Sequence, residues 1–165
     1  MAVKAILDTS PRVIPMLVCR DPEAEIGFCE RVLKAEVGVR RPGPDGHTIH
    51  AALMLGEARI IIQAEFPQAA SREPQKDGSS PVVIFVYVDN VDRAVEITLA
   101  AGGSVLMPAQ DQFWGDRSAR IMDPAGHVWS IASRIEETSE DQRRERWEAI
   151  RTDQGRPLRR SQSIA

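Results

Sequence analysis

The chain states one plan twice, and that repetition limits the folds open to it. Val13 to Asp21 (VIPMLVCRD) is an apolar run closed by an aspartate and followed by a helical pattern. Val82 to Asp89 (VVIFVYVD) repeats it, with Asp89 standing 68 residues after Asp21. Short strand-like runs follow each helical stretch: EVGVR, HTIHAALML and ARIIIQAEF in the first half, then GSVLMPA, SARIMD and HVWSIAS in the second. Each half reads as βαβββ. The expected class is α+β, with two such modules joining their sheets into one curved mixed sheet around a cavity. The boundaries follow composition: a first module over 11–67, a polar linker over 68–80, a second module over 81–135, and a helix and tail over 136–165.

Local signals support the plan. Asp21 before Pro22 is a strong helix start, and Ile26, Cys29 and Leu33, with Phe28 and Val32, form one apolar face. RPGPDGH at 41–47 reads as a hairpin loop, and Gly56 marks a further turn. The linker QAASREPQKDGSS has no periodicity and reads as mobile. A second helix over 91–101 buries Val91, Ala94, Val95 and Leu99 and ends at Gly102, a residue suited to a left-handed helix end. DPAGH at 123–127 is a tight turn between the last two strands, and QDQFWGDR at 110–117 reads as a loop rich in aromatic and charged residues. Ser139 can cap a helix from about Glu140 to Arg151, whose sparse apolar residues, Trp147 and Ile150, need a surface to dock on. Gln154 to Ala165 reads as a disordered basic tail.

Bulk properties exclude several functions. A net charge of −3 supplies no basic field for nucleic acid or an anionic membrane. No apolar stretch approaches the roughly 20 residues that span a bilayer, and Met1 to Ser10 lacks the plan of a signal peptide, so the expected location is the cytoplasm. Cys19 and Cys29 lie in apolar patterns and read as core residues rather than a redox or metal pair. There is no GxSxG motif and no Gly-rich phosphate loop, which argues against covalent catalysis and nucleoside triphosphate chemistry.

The repeated unit, the two strand-ending aspartates and DPAGH together resemble the vicinal oxygen chelate superfamily, which includes glyoxalase I, extradiol dioxygenases, fosfomycin-resistance enzymes and bleomycin-resistance binding proteins. The runs IPMLVCRDPEAEIGFCERVLKAE, PGPDGHTIHAALMLGEARIIIQAEF and DQFWGDRSARIMDPAGHVWSIAS are similar to its glyoxalase/bleomycin-resistance-like branch, over about residues 11 to 135. Catalytic members of that family hold a divalent metal with His or Gln on the first strand, Glu on the fourth, His on the fifth and Glu on the eighth. The matching positions here are Ile14, Ile61, Phe85 and Ser130, none of them a good ligand for such an ion. The resemblance therefore implies a member without the usual metal centre, and no cofactor is expected. A divalent ion would need shifted ligands, for which His50 with Glu65 or Asp116 are the candidates.

Strand alternation sets Ile14, Met16 and Val18 on one face and Val83, Phe85 and Tyr87 on another, and the resemblance makes those faces the cavity wall. Met16, Phe85 and Tyr87 would favour a flat apolar or aromatic ligand. Phe113, Trp114, Asp116 and Arg117 add a recognition loop, in which Trp114 can stack on a planar ring and Arg117 can grip a carboxylate or phosphate. Gln63 and Arg120 are further ligand-binding candidates. His50 is the histidine placed to act as general base, whereas His47 falls in a loop and His127 in the DPAGH turn, bonded to Asp123. The leading expectation is a homodimeric small-molecule binding protein similar to the drug-sequestering branch. The alternatives are a lyase, isomerase or dioxygenase-like enzyme acting on a small carbonyl compound through His50, or a structural or regulatory dimer whose partner docks on the C-terminal helix.

Overall fold

The computed structural model describes residues 11–154, so the reading of the first ten residues and that of the basic tail from 155 onward lie outside the described residues. The elements run β1 (Met16–Cys19), α1 (Pro22–Leu33), β2 (Glu36–Pro42), β3 (Thr48–Leu55), β4 (Ala58–Ala64), a single 3-10 turn (Pro67–Ala69), β5 (Val83–Tyr87), α2 (Val91–Ala100), β6 (Ser104–Asp111), β7 (Asp116–Met122), β8 (Val128–Arg134) and α3 (Glu140–Gln154). Both halves are βαβββ. The first sheet has the order β1-β4-β3-β2 and the second β5-β8-β7-β6, with β1∥β4 and β5∥β8 parallel and the other pairs antiparallel.

The two modules expected from the sequence each contribute one four-stranded mixed sheet, and no strand of one pairs with a strand of the other among the described residues. The modules are joined through their helix-covered sides instead. Residues from both halves, among them Leu17, Phe28, Ile62, Ile121 and Trp129, share one apolar core, and α1 packs on α2. A polar tie crosses the junction, where His127 Nε2 lies 3.0 Å from the Val18 carbonyl oxygen.

Capping explains the helix bounds. The Asp21 carboxylate accepts from Ala24 N–H at 3.0 Å, and Asn90 accepts from Arg93 N–H at 2.9 Å. The first helix closes on Lys34, in left-handed backbone at φ 58°, while Ala35 N–H donates back to the Cys29 carbonyl. On α2 the buried positions are Val91, Ala94 and Thr98. Leu99, expected on that face, is exposed. Its place is taken by Thr98, whose hydroxyl donates to the Ala94 carbonyl and so enters the core without an unpaired polar group.

Two loops gain detail from the structure. The segment 68–80 is tied down at Glu73, which accepts from Arg20 N–H and whose own N–H donates to Glu65, each at 3.0 Å. The aromatic loop is only Gln112 to Gly115, because Gln110 and Asp111 belong to β6 and pair with Ser118 and Arg117 of β7. No helix of the described residues is long and apolar enough to cross a membrane.

Candidate functional site

Each sheet has one face against the helices and one that is open. In the first sheet Leu17, Cys19, Ala51, Leu53, Ile60 and Ile62 are buried, while the register aligns Met16 with Ile61, Val18 with Gln63, and Gln63 with His50 on the other face. In the second sheet Ala119, Ile121, Trp129 and Ile131 point inward. On its open face one row crosses all four strands: Phe85 opposite Ser130, Ser130 opposite Arg120, Arg120 opposite Met107. Met16, Phe85 and Met107 are each 50% exposed and Tyr87 62%, far more than large apolar side chains usually show.

That row floors a hollow of about 310 Å³, whose lining includes Phe85, Met107, Gln110, Trp114, Arg120 and Ser130. Trp114 forms part of its wall and is held there. Its indole Nε1–H donates to Asp116 Oδ2 at 2.8 Å, and Tyr87 O–H donates to the same oxygen at 3.0 Å. The bond to Asp116 pushes the Tyr87 phenol above its ordinary value. Asp116 is only 4% exposed, and its charge is spent on fixing these two rings. Phe85 and Tyr87 meet edge to face with centroids 5.3 Å apart.

Phe113 turns the other way. It meets Trp114 edge to face at 4.9 Å and packs on Trp147 of α3 at 5.3 Å. The dock expected for the C-terminal helix is therefore the aromatic turn itself. Arg146 grips Glu136 through both terminal nitrogens, at 2.8 and 2.6 Å, and reaches the Phe113 carbonyl, while Thr138 O–H donates to the Trp114 carbonyl. Ser139 and Gln142 cap the helix reciprocally. Gly115 makes the turn possible: its φ is +96°, and a Cβ there would lie 2.6 Å from the Glu136 carbonyl oxygen. Gly115→Ala is expected to cost about 2–3 kcal/mol and to change the fluorescence of the Trp114 turn, measured by urea unfolding and emission spectra.

Two arginines on β7 have opposite fates. Arg117, expected to grip a ligand anion, is engaged by carboxylates of its own chain. Its Nε and Nη2 donate to Asp92 of α2, both at 2.9 Å, and its Nη1 donates to Asp111 at 2.7 Å, so the fork is filled from within. Arg120, three residues on and therefore on the opposite face, makes no hydrogen bond or ion pair among the described residues, and its buried Nε lacks an acceptor.

The metal-ligand positions carried over from the resemblance place Ile61 on the first open face and Phe85 beside Ser130 on the second, with Ile14 just ahead of β1. Alkyl, phenyl and one hydroxyl group do not fit a divalent ion, which needs oxygen or imidazole donors. The shifted set is not assembled either. His50 lies on the first sheet, Glu65 accepts from Glu73 N–H beside Arg20, and Asp116 is held in the second sheet. Among the described residues no three His, Cys, Asp or Glu side chains converge on a common point.

A buried acid pair escaped the sequence reading. Glu25 on α1 is fully buried, and its Oε2 has no donor. It lies against Asp123, whose Oδ1 accepts from Gly126 and His127 N–H and whose Oδ2 accepts from Trp129 Nε1–H. Burial first, then the Asp123 charge, raises the Glu25 carboxyl well above its ordinary value, which favours its protonated form in the fold. The helical phase was a signal, because Pro22, Glu25, Ile26 and Cys29 share a face. Cys19 and Cys29 are free and buried, and burial pushes both thiols up.

Comparison with known proteins agrees with this architecture. The family model for the Glyoxalase/Bleomycin resistance protein/Dioxygenase superfamily matches residues 13–131. An uncharacterized protein of Mycobacterium tuberculosis is 34% identical over 139 residues, covering 82% of each chain. Among solved structures, TioX from Micromonospora sp. ML1 superposes with TM-score 0.57 at 24% identity, over 76% of this chain and all of that one. The fosfomycin resistance protein FosX from Listeria monocytogenes, complexed with Mn(II) and sulfate, gives TM-score 0.60 at 16% identity, over 84% of this chain and 98% of that one. At such identities these two structures speak for the fold alone. By sequence and architecture together, the chain belongs to the glyoxalase/bleomycin resistance protein/dioxygenase superfamily.

Proposed function

We propose that the chain is a cytoplasmic, homodimeric small-molecule binding protein that takes a planar ligand on the open face of its second sheet without the usual metal centre of its superfamily. The observation that carries this reading is the hollow beside Phe85, Met107 and Trp114, with the indole fixed by a buried carboxylate rather than left to cover the core. A ring held in one orientation at a cavity wall loses little entropy when it stacks on a planar ligand. The apolar side chains exposed on both open faces, Met16 on the first and Phe85 and Met107 on the second, support a second copy of the chain as the cover. In such a pairing Gln63 and His50 of the first sheet would approach the hollow from the partner. Calorimetric titration with a panel of planar aromatic compounds tests the reading. Saturable binding that Trp114→Ala weakens about tenfold or more is expected. A panel without saturable binding would remove it.

A further inference from the structure

We propose that the hollow of the second sheet selects an aromatic acid, with the carboxylate of the ligand held by Arg120. This rests on reading that face as the small-molecule site. Arg120 stands in the middle of the floor, opposite Ser130 on one side and Met107 on the other. Its Nε is buried with no acceptor, and no ion pair reaches it among the described residues. Every other partly buried guanidinium near this end of the sheet is paired: Arg117 with Asp92 and Asp111, Arg143 with Glu140, Arg146 with Glu136. None of the residues that line the hollow is acidic; its polar groups are the hydroxyls of Ser118 and Ser130 and the amides of Gln110 and Gln112.

A buried guanidinium nitrogen left unpaired is unfavourable, and a neutral ligand covering it would make the situation worse by removing the remaining water. An anion reverses the sign. A planar carboxylate matches the fork of Nε and one terminal nitrogen with two parallel bonds, while the serine hydroxyls can turn to donate to the same oxygens. The walls choose what the carboxylate is attached to. Phe85, Met107 and Trp114 present apolar and aromatic surface around the arginine, and about 310 Å³ admits a body of one or two fused rings.

The test compares 2-naphthoate with its neutral isostere 2-naphthamide by calorimetric titration on the wild-type chain, Arg120→Met and Arg120→Lys. The wild type is expected to bind the acid at least about tenfold more tightly than the amide. Arg120→Met removes that preference, and Arg120→Lys keeps part of it, because an ammonium retains charge but loses the fork. Ligand-free Arg120→Met is expected to melt about 2–4 °C higher, since the unsatisfied donor is gone. Equal wild-type affinity for acid and amide would overturn the carboxylate assignment while leaving a planar-ligand site in place, and this comparison needs no variant. A preference that survives in Arg120→Met would overturn the role of Arg120. Failure of both probes to bind the wild type would overturn this inference, and failure of the wider aromatic panel as well would remove the reading beneath it.

Discussion

Asp123→Ala is expected to destabilise the fold by about 3–5 kcal/mol, the largest loss any single polar substitution should produce here. Asp123 is 2% exposed and accepts from Gly126 N–H at 2.8 Å, His127 N–H at 2.8 Å and Trp129 Nε1–H at 2.7 Å. Alanine would orphan all three donors. Trp129 is fully buried, so its indole N–H can recruit no water without opening the core, and an unpaired buried donor costs about 1–3 kcal/mol. The turn would loosen as well, because Asp123 and His127 also bond through their main chains and the His127 ring ties the turn to Val18 of the first module. Asn in place of Asp should cost less, since its carbonyl oxygen can still accept from the turn while its amide must face the indole donor. Urea unfolding of wild type, Asp123→Ala and Asp123→Asn checks the order, and a loss under 1.5 kcal/mol for alanine would show that the turn does not depend on this side chain.

Glu25→Gln should change how stability varies with pH. The folded state raises the Glu25 carboxyl above the ordinary 4.5, so above that pH the folded chain holds a proton that the unfolded chain has released. Stability then falls as pH rises, by up to about 1.4 kcal/mol for each pH unit between the unfolded and folded values, and the contribution is fully present only below about 4.5. Glutamine keeps the shape and supplies a permanent donor toward Asp123. The variant should therefore lose this slope and be more stable than wild type at about pH 8, while differing little at about pH 5. Melting temperatures across that range decide the matter. Parallel curves for the two proteins would mean that Glu25 is not protonated in the fold.

Much of the fold was legible because βαβββ needs only short-range signals: alternation in strands, an aspartate or asparagine at each helix start, and DPAGH as a turn. What depended on distant partners was not. Lys34 closes α1 in left-handed backbone where the sequence offers no glycine, and nothing local marks it. The sheets share a core through their helices rather than an edge, which is a matter of packing between modules. The site was half legible. Alternation on β7 separates Ser118 and Arg120 from Arg117, Ala119 and Ile121, so the phase alone could have assigned Arg120 to the open face. The sequence could not show that Asp92 and Asp111 would close on Arg117, since Asp92 arrives from 25 residues away. Phe113 and Trp114 are neighbours read as one recognition pair, yet the turn sends one ring to α3 and the other to the hollow.

The central claim is that a ligand sits on the open face of the second sheet. Amide and indole chemical-shift mapping with a planar aromatic acid tests it most directly. The account predicts saturable shifts at Trp114 Nε1–H and at the amides of Ser118, Arg120 and Ser130, with little change beneath α2. Shifts confined to Phe113, Trp147 and α3 would place the ligand on the aromatic dock instead and contradict the account.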